Sequence, residues 1–264
     1  MTSLQNEFRI DPITGTVVIF SPKRGARPSD YLDKKPEIIS GTACPLCPGN
    51  EQMTPPTILF KGASAQEWTI RNFENKFAAL DKGAKLKWEK TPFGQVSPAY
   101  GRHEVVVETN RHGAAPWELS EGEIAEVFKV FSERFSAISK DRKIESVLIF
   151  QNHGKDAGAS LSHLHAQIAA FPFVISGFEK RIKGSAPKGK NKKCKYCEIA
   201  DKERELGIRT VFESENILVL CPFASVFKYE TMVLPKKHLK GFPDFAEIGQ
   251  VLKRLFVAYN KLLG

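Results

Sequence analysis

Two stretches of the chain carry apolar residues at helical spacing: Ile124, Val127, Phe128, Phe131, Phe135 and Ile138, then Ile248, Val251, Leu252, Leu255, Phe256 and Tyr259. Each follows a capping-box-like start, Ser120-x-x-Glu123 and Asp244-x-x-Glu247, so two amphipathic helices are predicted. Stripes of this kind pack on a sheet rather than hold a cofactor. Extended runs precede them, His103 to Glu108 before the first and Phe212 to Leu220 and Tyr229 to Leu234 before the second. After the first helix the chain continues with Ile144 to Phe150, a turn rich in Gly, Ala and Ser, and His163-Leu164-His165-Ala166-Gln167. In an extended backbone alternate side chains share a face. His163, His165 and Gln167 therefore point one way, while Leu164, Ala166 and Ile168 pack the other.

The order of elements repeats. A Cys-x-x-Cys pair, a Phe-Glu run with Asn two or four positions on, a strand ending at a basic residue and a histidine, and a helix occur once before residue 178 and once after 193. The expected architecture is α+β, with antiparallel sheets carrying packed helices. The domains are 1–178, a linker at 179–193, and 194–264. The second module stops at Gly264, without counterparts of the strands that follow the first helix, and is expected to be truncated.

Composition changes this picture little. With 264 residues and 42% hydrophobic content the chain can bury one large or two modest cores. No apolar run approaches membrane-spanning length. The net charge of +9 is almost all accounted for by Lys180, Arg181, Lys183, Lys188, Lys190, Lys192, Lys193 and Lys195, a stretch without acids. With its glycines, serine and proline it reads as a solvated linker. No aromatics interleave it as a nucleic-acid-stacking surface requires, so nucleic acid is not expected as a partner.

The candidate chemistry lies in cysteines and histidines. Four of the five cysteines form two copies of one spacing, Cys44/Cys47 and Cys194/Cys197. The first ten residues lack a signal-peptide pattern, and a reducing, cytoplasmic setting is expected. There, Cys-x-x-Cys in a Pro/Gly-rich knuckle reads as a zinc site needing two further ligands, most simply histidines. The candidates are His103, His112, His153, His163, His165 and His238. Cys194, Cys197 and His238 make a possible second metal set, incomplete by one ligand. Cys221 is a small apolar filler. In His-x-His-x-Gln a neutral imidazole can attack phosphorus, a second can bind metal or hold the first, and the carboxamide can bond a phosphoryl oxygen. The bland alternative is two satisfied histidines on a half-buried strand.

Together, Asp11-Pro12-x-x-Gly15, Ser21-Pro22-x-Arg24-x-x-Arg27-Pro28, Cys44-x-x-Cys47, Asn75-x-Phe77-x-x-Leu80, Gly101-x-His103-Glu104-Val105-x-Val107-Glu108-x-x-x-His112 and Asn152 to Gln167 resemble the galactose-1-phosphate uridylyltransferase family of the histidine-triad superfamily. The Gly158-Ala159-Ser160-x-Ser162-His163-x-His165-x-Gln167 form is similar to its ADP-glucose phosphorylase branch too. The resemblance implies two histidine-triad-like modules and a nucleotide sugar as donor, with a sugar phosphate or inorganic phosphate as acceptor. It implies His165 as the nucleophile that becomes nucleotidylated, with Gln167 and Ser160 stabilising phosphoryl oxygens. Arg24, Arg27, Asn75 and Asn152 would bind substrate. Structural zinc would sit on Cys44, Cys47, His112 and His163, and a homodimer is usual in the family. A zinc-stabilised nucleotide-binding protein without turnover is the reading from a different class.

Overall fold

The computed structural model describes residues 5–22, 24, 44–187, 189 and 193–263. It divides into two compact units, 1–115 with 134–175, and 116–133 with 176–264. The architecture is α+β with antiparallel sheets, as the patterning predicts.

The first unit holds two sheets. The larger has five strands in the order β3-β4-β7-β9-β8: β3 (Thr57–Gly62), β4 (Trp68–Glu74), β7 (Arg102–Val107), β9 (His165–Phe171) and β8 (Ser146–Gln151). All its neighbours run antiparallel. The smaller orders β2-β1-β6-β5 from β1 (Glu7–Ile10), β2 (Val17–Phe20), β5 (Glu89–Thr91) and β6 (Gly94–Pro98). Phe8, Leu80, Ala99, Ala169 and Phe171 form the buried core shared by the two sheets. Gly101 opens β7 at φ +155°, where a Cβ would lie 2.3 Å from the Ala170 carbonyl oxygen. Only glycine permits that approach of β7 to β9.

In the second unit a three-stranded sheet, β10 (Thr210–Glu213), β11 (Ile217–Leu220) and β12 (Met232–Pro235), carries helix α4 (Phe245–Leu263). Ile217, Val219, Ile248, Val251 and Leu255 are its core, joined by Phe128 of α1 (Glu121–Ile138). The second stripe buries Ile248, Val251 and Leu255, and the first buries Ile124, Val127, Phe131 and Ile138 but leaves Phe135 exposed. The start of α1 is a reciprocal capping box: the Ser120 N–H donates to Glu123 at 2.8 Å and the Glu123 N–H to the Ser120 hydroxyl at 3.2 Å. The start of α4 is only half of one. The Glu247 N–H donates to Asp244, but the Glu247 carboxylate accepts from the Asn216 N–H at 2.6 Å and from the Ser214 hydroxyl at 2.5 Å, which ties the helix to the β10–β11 turn.

Two details depart from the sequence reading. The segment expected to be a linker begins inside a helix, α2 (Ser176–Ser185), followed by α3 (Lys195–Leu206). Lysine and arginine are good helix formers, and Glu179 pairs with Lys183 one turn on. The division between units falls at 175/176, and residues 116–133 go with the second unit.

Candidate active site

Strands β4, β7 and β9 present one face to the site. Register sets Val107 opposite His165 and Val105 opposite Gln167, with Phe73 opposite Val105. Directly opposed residues point to the same side. On the other face, buried Glu104 receives a two-point ion pair from Arg134 at 2.9 and 2.8 Å and the Asn72 amide at 3.0 Å.

A knuckle folds over the site face. The Cys47 N–H closes on the Cys44 carbonyl at 3.2 Å, and the Asn50 side chain donates to the same carbonyl at 2.7 Å. Leu46 and both cysteines pack with Trp68, Phe73, Val105 and Val107. This leaves the Sγ atoms facing two histidines. His163 Nδ1 lies 3.7 Å from Cys44 Sγ and 3.5 Å from Cys47 Sγ, and His112 Nδ1 lies 3.3 Å from Cys47 Sγ.

The protonation of His163 follows from its other side. Nε2 is 2.8 Å from the Thr109 carbonyl oxygen, which can only accept, so Nε2 carries the hydrogen and Nδ1 turns its lone pair to the sulfurs. Burial holds the ring's pKa down to about 4. Burial and the neighbouring Cys44 push the Cys47 thiol up to about 12, so two thiolates in this place call for a cation. The four ligand atoms lie within 4.8 Å of one another. The set can hold a metal ion, and soft sulfurs with imidazoles in a buried group of four fit a tetrahedral centre.

His163 is not on the strand with His165, as alternation predicts; β9 starts at His165. The residues before it bend so that His163 is fully buried beneath the knuckle. Its carbonyl is used as well. His165 Nδ1 is 2.7 Å from the His163 carbonyl oxygen. By the same acceptor-only argument Nδ1 is protonated and Nε2 is the basic nitrogen of the neutral ring.

His165 and Gln167 do share a face and line a cavity of about 220 Å³ together with Arg24, Phe73, Asn75 and Ser160. Arg24 donates to the Phe77 carbonyl at 3.2 Å, and Asn75 Oδ1 accepts the Phe77 N–H at 2.9 Å. Asn152, just after β8, is not among the lining residues. Arg27 lies outside the described residues. His103, a candidate metal ligand and part of the Gly101-x-His103 motif but not assigned to the site, sits beside Gln167, with Nε2 3.0 Å from Gln167 Oε1. Its place two residues before Val105 on the predicted strand was the available signal.

Cys194, Cys197 and His238 also come together, with His238 Nδ1 3.4 and 3.6 Å from the two sulfurs. Here Cys194 caps α3, its sulfur accepting the Cys197 N–H at 3.4 Å. Hydrogen bonds from Cys197 draw the Cys194 thiol down to about 7. This group has three ligands among the described residues and is partly exposed, whereas the first has four and is mostly buried.

Residues 1–174 match the family described as galactose-1-phosphate uridyl transferase, N-terminal domain. The chain belongs to the galactose-1-phosphate uridylyltransferase family. It is 32% identical to the galactose-1-phosphate uridylyltransferase of Thermotoga maritima over 97% of its own length and 76% of that protein. It is 29% identical to the ADP-glucose phosphorylase of Arabidopsis thaliana over 93% of its length and 70% of that protein. Among solved structures, an Arabidopsis thaliana ADP-glucose phosphorylase with bound ADP-glucose superposes with a TM-score of 0.68 at 25% identity, covering 98% of this chain and 79% of that one. The family's histidine-triad fold is the one described above. No helix among the described residues is long and apolar enough to cross a membrane.

Proposed function

We propose that the chain is a nucleotidyltransferase that moves a nucleoside monophosphoryl group from a nucleotide sugar to a phosphate acceptor through a covalent nucleotidyl-histidine on His165. The observation that carries this reading is the 2.7 Å bond from His165 Nδ1–H to the His163 carbonyl. It leaves Nε2 as the basic nitrogen of a ring that lines the cavity.

In the first step Nε2 attacks the α-phosphorus, the bond from phosphorus to the bridging oxygen breaks, and the sugar 1-phosphate leaves. The ring becomes cationic, and its Nδ1–H bond to a carbonyl strengthens as that charge forms. In the second step an acceptor phosphate oxygen attacks the same phosphorus and the P–N bond breaks, returning neutral His165. Gln167 and Ser160 stabilise the phosphoryl oxygens as charge develops. Arg24, Asn75 and Arg27 hold the diphosphate and nucleoside. The buried set Cys44, Cys47, His112 and His163 would hold zinc. Bound there, it supplies structural clamping of the segment before the nucleophile. Cys194, Cys197 and His238 would be a second, weaker metal set.

The donor and acceptor in our reading are UDP-glucose and a hexose 1-phosphate. The Arabidopsis relative, an ADP-glucose phosphorylase by name, favours a second reading in which adenylyl passes from ADP-glucose to inorganic phosphate. The two are separated by turnover: UDP-glucose with galactose 1-phosphate, and ADP-glucose with inorganic phosphate, each assayed for release of glucose 1-phosphate. Sustained release in the first pairing alone supports uridylyl exchange, and in the second alone phosphorolysis. Release in neither pairing, with metal-loaded folded protein, would replace both with a nucleotide-binding role.

A further inference from the structure

We infer that His103 is a positioning residue that fixes which end of the Gln167 amide faces the reacting phosphoryl group; this rests on the reading of His165 above. The Ala79 N–H donates to His103 Nδ1 at 3.0 Å, and a main-chain N–H cannot be flipped or act as acceptor. Nδ1 must therefore be bare, and the neutral ring carries its hydrogen on Nε2.

That nitrogen needs an acceptor. It lies 3.0 Å from Gln167 Oε1 and 3.3 Å from Asn75 Nδ2. The Asn75 group is itself a donor, because Asn75 Oδ1 is engaged by the Phe77 N–H at 2.9 Å. Gln167 must then present its oxygen to the ring, since the flipped amide would set N–H against N–H in a buried place, at a cost of roughly 1–3 kcal/mol for the unmet donor.

With Oε1 held on this side, the Gln167 –NH₂ is turned the other way. It has no partner among the described residues and belongs to a side chain lining the cavity of His165. Two N–H groups are thereby offered to a non-bridging oxygen of the phosphoryl group under attack, where negative charge accumulates. The opposite amide orientation would aim a carbonyl at that oxygen. His103 itself is buried and borders a different cavity, with Glu74, Asp81 and Arg102, so it acts through Gln167 and not on the substrate.

Two measurements on the full chain test this. Long-range ¹H–¹⁵N correlation spectra of histidine-labelled protein should show His103 as the Nε2–H tautomer; a bare Nε2 or a charged ring would overturn the inference whatever the turnover. The second is a mutant cycle in single-turnover nucleotidylation, with His103→Leu, Gln167→Leu and the pair. His103→Leu should slow adduct formation on the order of 10²-fold with KM little changed, and add nothing in the Gln167→Leu background. His103→Gln, which keeps a donor toward Oε1, should recover part of the loss. Additive effects, or a His103→Leu enzyme as fast as wild type, would overturn the inference. A wild type that forms no adduct at all would count against the His165 reading instead, and the tautomer would still decide the polarity of Gln167.

Discussion

At the scale of single residues, three acceptor-or-donor facts organise the site. The Thr109 carbonyl turns His163 Nδ1 to the sulfurs, the His163 carbonyl leaves Nε2 as the basic nitrogen of His165, and the Ala79 N–H sets His103. In each of them the partner is a backbone group. The motif positions were legible: Cys44, Cys47, His112 and His163 converge, and His165 and Gln167 share a cavity. What alternation misjudged was His163, because a strand period applies only where the strand has begun. His163 is the most buried of the four ligands, so the metal reading makes a sharp demand of it. His163→Ala should lose one equivalent of zinc by elemental analysis and lower the melting temperature by several degrees, since it removes a ligand and opens a buried space beneath the knuckle. Unchanged metal content in that variant would remove the first site from the account.

At the scale of elements, the helices and their caps were readable because a 3.6-residue stripe and a capping box are local signals. The small sheet of β1, β2, β5 and β6 was not, since its pairings join residues far apart in the chain, such as Phe8 with Ser97. Nor was α2, whose lysine density mimics a solvated linker and none of whose ten residues is buried. The close contact between α4 and the start of α1 was also hidden, because it depends on what is missing from a side chain. At Gly249 a Cβ would stand 2.2 Å from the Glu121 carbonyl oxygen, so the helices meet through a bare backbone. Gly249→Ala raises helix propensity yet should destabilise the second unit by roughly 1–3 kcal/mol in urea unfolding. A more stable variant would mean that the two backbones do not approach in this way.

At the scale of the whole molecule, the chain divides into two units with different equipment, and the division does not follow the sequence repeat, since residues 116–133 of the first repeat go with the second unit. The first has a five-stranded sheet and a buried group of four metal ligands, and the second a three-stranded sheet and an open group of three. Among the described residues, those that line the cavity with His165 all belong to the first unit. The chemistry proposed here therefore depends on one histidine held by the backbone two residues before it. Intact-protein mass spectrometry tests that most directly, after separate incubation with UDP-glucose and with ADP-glucose at neutral to alkaline pH, where a phosphoramidate survives. The account predicts a UMP or AMP increment on the wild-type protein that is lost on acid treatment and absent from His165→Asn. An increment that persists in His165→Asn would contradict the nucleophile, and no increment with either donor on zinc-loaded, folded protein would contradict covalent catalysis altogether.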